Sequence, residues 1–73
     1  MQHTVAAELV ASVLNVQVAP GDKVEPMDEL VVLESMRMEI PVLAEAQGVV
    51  AEVVVNVGDV VHDGDPLVII TTL

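Results

Sequence analysis

Residues 13–22 read Val-Leu-Asn-Val-Gln-Val-Ala-Pro-Gly-Asp, and residues 50–59 read Val-Ala-Glu-Val-Val-Val-Asn-Val-Gly-Asp. The stretches lie 37 residues apart and align without a gap: Val13, Val16, Val18, Gly21 and Asp22 fall on Val50, Val53, Val55, Gly58 and Asp59. A valine-rich composition matches valines by chance, but it does not place Gly-Asp at the same offset. The correspondence continues in both directions. Val5, Ala7 and Glu8 meet Val42, Ala44 and Glu45, while Val24, Asp28, Leu30 and Val31 meet Val61, Asp65, Leu67 and Val68. Val32 and Leu33 meet Ile69 and Ile70. The chain is one unit written twice, with repeat halves at about 4–36 and 41–73.

Each half reads as short strands with turn punctuation. Valine is abundant, and β-branched side chains favour the pleated strand. Val13, Val16 and Val18 sit among polar Asn15 and Gln17, a half-buried alternation, whereas Val49 to Val55 is more continuously apolar. Pro20-Gly21-Asp22 and Val57-Gly58-Asp59 are predicted turns: glycine supplies a positive φ, and the aspartate side chain can bond nearby amides. Glu25-Pro26-Met27-Asp28 and His62-Asp63-Gly64-Asp65 are the next turns. Met27 stands where the second half has Gly64, so the first of these is expected to use negative φ and to differ in conformation from the second. The last strands are Glu29 to Glu34 and Leu67 to Thr71, and no segment shows a sustained helical period.

Neither half can bury a core alone. Packed face to face about a pseudo-two-fold axis, the two share one core, which predicts an all-β sandwich or flattened barrel. Residues 34–36 correspond to 71–73, so Arg37 follows where the first half runs out and the chain must double back. The Met36-Arg37 turn is therefore expected at the opposite end from the C-terminus.

Composition narrows the function. Seventy-three residues allow one small domain, taken here as residues 1–73. The chain is 53% hydrophobic, yet no apolar run is long enough to span a bilayer, and Met1 to Val10 lacks the features of a secretory signal. Without cysteine there is no disulfide framework, thiolate nucleophile or Cys-based zinc site, and a cytoplasmic location is the default expectation. With no Phe, Tyr or Trp, the core must come from Val, Leu, Ile, Ala and Met. The net charge of −10 sets twelve acids against Lys23 and Arg37. Nucleic acid and anionic membranes are disfavoured as partners, since both require a basic face. The acids read as a solvated surface, or more sharply as steering toward a basic partner.

Catalytic readings fail on spacing. His3 and His62 have no companion ligands at metal-binding offsets, and Asp59, Asp63 and Asp65 lack the calcium-loop register. Ser12 and Ser35 have no base in a triad relation, and no glycine-rich phosphate loop occurs. The chain is expected not to be an enzyme.

Residues 34–40 read Glu-Ser-Met-Arg-Met-Glu-Ile, between two strand-like runs. With Ala11-Ser12-Val13, Pro20-Gly21-Asp22, Val24, Leu30, Ala44, Gly48, Val57-Gly58-Asp59, Val61, Gly64-Asp65 and Leu67, they fall in the order of the biotinyl/lipoyl attachment domain pattern. The chain resembles the short, free-standing biotin carboxyl carrier proteins of acyl-CoA or pyruvate carboxylases. The resemblance implies a flattened β-barrel of two four-stranded antiparallel sheets with the modified residue on an exposed hairpin. It implies biotin as cofactor, and biotin protein ligase, biotin carboxylase and carboxyltransferase as partners. Glu34, Ser35, Met36, Met38 and Glu39 would form the hairpin that the ligase reads. Methionine, unbranched and polarizable, suits an adaptable recognition surface. A lipoyl domain would carry Asp-Lys-Ala at the tip, whereas Met-x-Met resembles the biotin pattern. The attachment position is Arg37, where the family has lysine. Attachment needs an amine with a transiently free lone pair, and a guanidinium holds its proton and delocalises its lone pairs. Covalent biotin is therefore not expected at Arg37. Lys23, after Gly21-Asp22 and without flanking methionines, is not expected to replace it. Arg37 retains the charge and length to engage an acidic group through a bidentate contact. Two alternatives stay open: a non-biotinylated interaction or decoy module, and a lipoyl-type carrier.

Overall fold

A computed structural model describes residues 1–72; Leu73, the last residue of the second repeat half, lies outside the described residues. Eight strands account for the architecture: β1 (Gln2–Ala6), β2 (Ala11–Val16), β3 (Lys23–Val24), β4 (Glu29–Ser35), β5 (Met38–Leu43), β6 (Gly48–Val53), β7 (Val60–Val61) and β8 (Pro66–Thr72). They form two four-stranded antiparallel sheets, ordered β1-β8-β6-β3 and β5-β4-β2-β7.

The 37-residue repeat is written into the strand register. Val13 pairs with Leu33 and Val50 with Ile70; Val16 pairs with Val31 and Val53 with Val68. Ala11 pairs with Val61, and its mate Gly48 pairs with Val24. Val5 pairs with Val68, and Val42 with Val31. Even the irregularities repeat: β2 is bulged between Val13 and Asn15, and β6 between Val50 and Glu52. The two halves are not stacked one sheet on the other, however. Each sheet takes two strands from either half, so the repeat units interleave.

The bulges resolve an oddity in the apolar spacing. Strict alternation would send Val13 and Val16 to opposite faces. One extra residue, Leu14, resets the phase, so Val13 is buried and Val16 and Val18 pack against the core. The same reset serves Val50, Val53 and Val55. The expected contrast between the halves is thereby corrected: β2 and β6 share one burial pattern, and Val49 and Val54 stand 38% and 39% exposed within the apolar run. Leu30, Leu33, Leu67, Ile70, Val13, Val31, Val50 and Val68 are the largest fully buried side chains, and no polar or charged residue is buried among the described residues.

All four predicted turns are present, each closed by its aspartate. The Asp22, Asp28, Asp59 and Asp65 carboxylates accept from the amides of Ala19, Glu25, Asn56 and His62 at 2.8–2.9 Å. The expectation for Met27 is corrected. Its φ is +79°, beside +92° for Gly64, and Met27 and Gly64 donate equivalent backbone bonds to Ala44 and Ala7. The two turns are alike, because the register that fixes Ala44 against Met27 is the register that fixes Ala7 against Gly64.

β4 separates the poles of the domain. Thr72 pairs with Gly48, Gly48 with Val24, and the turn after Val24 leads into Glu29 at the start of β4. Ser35 closes the far end of that strand, about 20 Å away at ~3.3 Å per residue. The last described residue and the β4–β5 hairpin therefore lie at opposite ends.

Candidate functional site: the β4–β5 hairpin

Ser35 and Met38 form the last pair of the β4–β5 ladder, leaving Met36 and Arg37 as a two-residue turn. Their φ angles are +53° and +66°. Two consecutive left-handed residues match the right-handed strand twist, and Asn-Gly is the sequence that adopts them readily. Met and Arg do so at a cost of about 1–2 kcal/mol each, from their Cβ atoms against the following carbonyls. Among the described residues only Met27, Met36 and Arg37 are non-glycine residues with positive φ, so two of the three meet at this tip. The fold needs a turn here, not this one.

The tip projects into solvent. Met36 is 92% exposed and Met38 64%. Ordinary hairpin packing does not explain methionines placed in water. Arg37 is exposed and, among the described residues, has no carboxylate within ion-pair distance. Directly beneath the turn Glu34 faces Glu39 across the strands, both exposed. Like charges directly opposite destabilise a ladder, so this pair, like the turn, is not explained by folding. Ser35 is half-buried at the foot of the turn. All six predicted residues, Glu34 to Glu39, thus share one hairpin.

The concavities lie elsewhere. One of about 580 Å³ is lined by residues including Gln17, Asp22, Lys23 and Asp28. Another of about 210 Å³ opens where β1 and β5 meet, over Val5, Leu9, Ile40 and Leu43. Neither reaches residues 34–39, so the candidate site is a projecting tip and not a cleft. His3 hydrogen-bonds Glu45 at 3.3 Å, and His62 lies 3.7 Å from Asp65, both on the surface. Among the described residues no group of three or more His, Cys, Asp or Glu is placed to hold a metal ion. Lys23 is exposed on the two-residue strand β3, paired with Val49.

Two exposed residues beside the hairpin were not singled out by the sequence reading. Ser12 of β2 pairs with Glu34 on one side and with Val60 of β7 on the other. Val60 is 62% exposed, two strand spacings, or about 10 Å, from Glu34. Val10 precedes β2, and continuing that register puts it level with Met36. The signal lay in the repeat: 37 residues on, Val10 meets Gln47, and 37 residues back, Val60 meets Lys23.

Comparison with known proteins follows this geometry. Residues 2–70 match the biotin/lipoyl family described as "Biotin-requiring enzyme". The "Biotinylated protein TB7.3 homolog" of Mycobacterium leprae is 54% identical over 97% of this chain and 100% of its own length. A solved single-chain, multi-domain long-chain acyl-CoA carboxylase superposes with a TM-score of 0.91 at 32% identity, over 99% of this chain but 7% of that one. The lipoyl domain of the 2-oxoglutarate dehydrogenase complex from Azotobacter vinelandii gives 0.74 at 31% identity, over 92% of this chain and 95% of that one.

Proposed function

The chain belongs to the biotinyl/lipoyl attachment domain family, and on that premise we propose that it is a biotin carboxyl carrier-type domain held in an unmodifiable form by Arg37. It does no bond-making itself and acts as one domain over residues 1–73, in the cytoplasm. The observation that carries the reading is the strained, exposed Met36-Arg37-Met38 tip on an otherwise symmetric frame.

Biotin does not fit the residue at the attachment position. Biotinylation forms an amide: an amine lone pair attacks an activated biotinyl carbonyl, the leaving group departs with its bonding pair, and the nitrogen loses a proton. The Arg37 nitrogens share their lone pairs across the guanidinium plane and have none to donate. The hairpin residues on either side are those that a ligase would read, and Arg37 offers it a cation of similar reach. Met-x-Met at the tip favours biotin over lipoate. Carboxylases are the enzymes this domain would serve, since a carboxylase holds the matching domain within its own chain.

Intact mass spectrometry after incubation with biotin protein ligase, biotin and ATP tests the reading. The chain should gain no mass, and Arg37→Lys should gain one biotin. A biotin increment on the unaltered chain, at Lys23 or elsewhere, would overturn the block at Arg37. Lipoylation of Arg37→Lys without biotinylation would transfer the chain to the lipoyl branch.

A further inference from the structure

The β4–β5 turn is the covalent connection between the two repeat halves, and its two residues are strained. Each half supplies strands to both sheets: β4 takes its neighbour β5 from the other half, and β8 takes β1. Nothing in those ladders requires both halves to come from one molecule. The turn alone imposes it, with Met36 and Arg37 held at φ +53° and +66°. A short hinge under strain favours the exchange of elements between copies of a chain.

The register shows what would replace the turn. Glu34 faces Glu39, and Ser35 faces Met38. Straightened, residues 34–39 of two copies run antiparallel in that same register, so Met36 falls opposite Arg37 of the second copy, and Arg37 opposite its Met36. No bulge or slip is needed. No described segment covers the tip, since Met36 is almost fully in solvent and Arg37 is exposed.

The straight ladder also answers the charge pattern. In the closed hairpin Glu34 and Glu39 repel across the strands, and Arg37 has no carboxylate within ion-pair distance among the described residues. Side chains alternate along a straight strand, so Arg37 would share a face with Glu39, about 7 Å along it. Glu34 of the second copy would lie opposite that Glu39 and diagonal to Arg37, within reach of a long side chain. Each of the two carboxylate pairs gains one guanidinium.

We propose that two copies of this chain exchange halves through the Met36-Arg37 hinge, forming a dimer in which each lobe joins the first repeat half of one copy to the second half of the other. The partner is a second copy, and the interface is the one already inside the domain, lengthened by two residue pairs. Four left-handed residues become extended. The inference needs only the fold, and it goes beyond the carrier reading. In the dimer residues 36 and 37 lie within a ladder and no tip projects, so the monomer alone offers position 37 to other proteins.

The chain is unfolded, refolded at about 1 mM and sized by chromatography with light scattering. A slowly interconverting dimer is expected, with a share that falls on refolding at about 1 μM. Met36→Asn with Arg37→Gly, which suits the closed turn, should lower the association constant about a hundredfold, since both hinges lose their strain. The chain has no cysteine, so an introduced pair reports which strands meet. Ser35→Cys with Met38→Cys, oxidised, should run as a monomer on a non-reducing denaturing gel when refolded dilute. Taken from the dimer peak it should run as a covalent dimer, because residue 35 then faces residue 38 of the second copy. A chain that refolds wholly as monomer at about 1 mM overturns the proposal. So does a dimer whose cysteines join within each chain, or one that the double hinge variant forms as readily, since either places the contact outside a closed domain.

Discussion

Met27 and Gly64 hold the same left-handed backbone 37 residues apart, at φ +79° and +92°. Pro26 presets the first central residue of the earlier turn, and the Met27 amide must still reach the Ala44 carbonyl, so methionine takes the place that glycine fills without strain. Met27→Gly is expected to stabilise the domain by about 0.5–1 kcal/mol, the relief of strain less the greater freedom of unfolded glycine. Gly64→Ala should cost a similar amount, and only through φ, because a Cβ there meets nothing within 4 Å. Thermal melts of both variants check the pair.

Strain at the hairpin gives a second expectation. The double substitution Met36→Asn with Arg37→Gly should raise stability by about 1–2 kcal/mol. For a domain of this size that corresponds to roughly 4–8 °C in Tm per kcal/mol. Arg37→Lys, in the same backbone conformation, should leave Tm unchanged. An unchanged Tm in the double variant would show that the left-handed pair costs nothing here.

Gly48 and Ala11 are repeat mates that differ for a visible reason. A Cβ on Gly48 would run into the Thr71 carbonyl oxygen and come within 2.7 Å of Ile70 Cγ2. Ala11, the mate in the first half, carries its Cβ in a buried position. Gly48→Ala should cost about 3 kcal/mol or more, because the obstruction is backbone and cannot rotate away. Ala11→Gly should cost about 1 kcal/mol. Chemical denaturation separates the two.

The four aspartate caps offer an additive series. Each accepts an amide three residues earlier at the surface, so Asp22→Ala, Asp28→Ala, Asp59→Ala and Asp65→Ala should each cost about 1 kcal/mol. Asp22 and Asp59 sit in turns without a shared partner, and their double substitution should sum. Urea midpoints of the single and double variants provide the check.

Much of this was legible in the chain. The Gly-Asp offset disclosed the repeat, and the repeat placed the Met36-Arg37 turn at one pole. The bulges were legible too, in the spacing Val13, Val16, Val18, but a three-residue step is easily taken for loose alternation. The two-residue strands β3 and β7 left no periodic signal, being shorter than any period can show. The Met27 turn is not legible locally, because the backbone bond to Ala44 that fixes its φ joins residues far apart in the sequence. Val10 and Val60 stand out only where the two halves differ, against Gln47 and Lys23. The expectation for Arg37 rests on chemistry and not on the fold, since a guanidinium has no free lone pair with which to be acylated.

Of the six strand pairings, β1–β8, β3–β6, β4–β5 and β2–β7 join one repeat half to the other, and only β2–β4 and β6–β8 stay within a half. The molecule is in effect a dimer whose two subunits happen to share a peptide chain, and the Met36-Arg37 turn is their tether. A tether carries little of the load that holds such a dimer together. The residue on which the proposed chemistry turns therefore stands in the tether, outside the ladders that hold the two halves together.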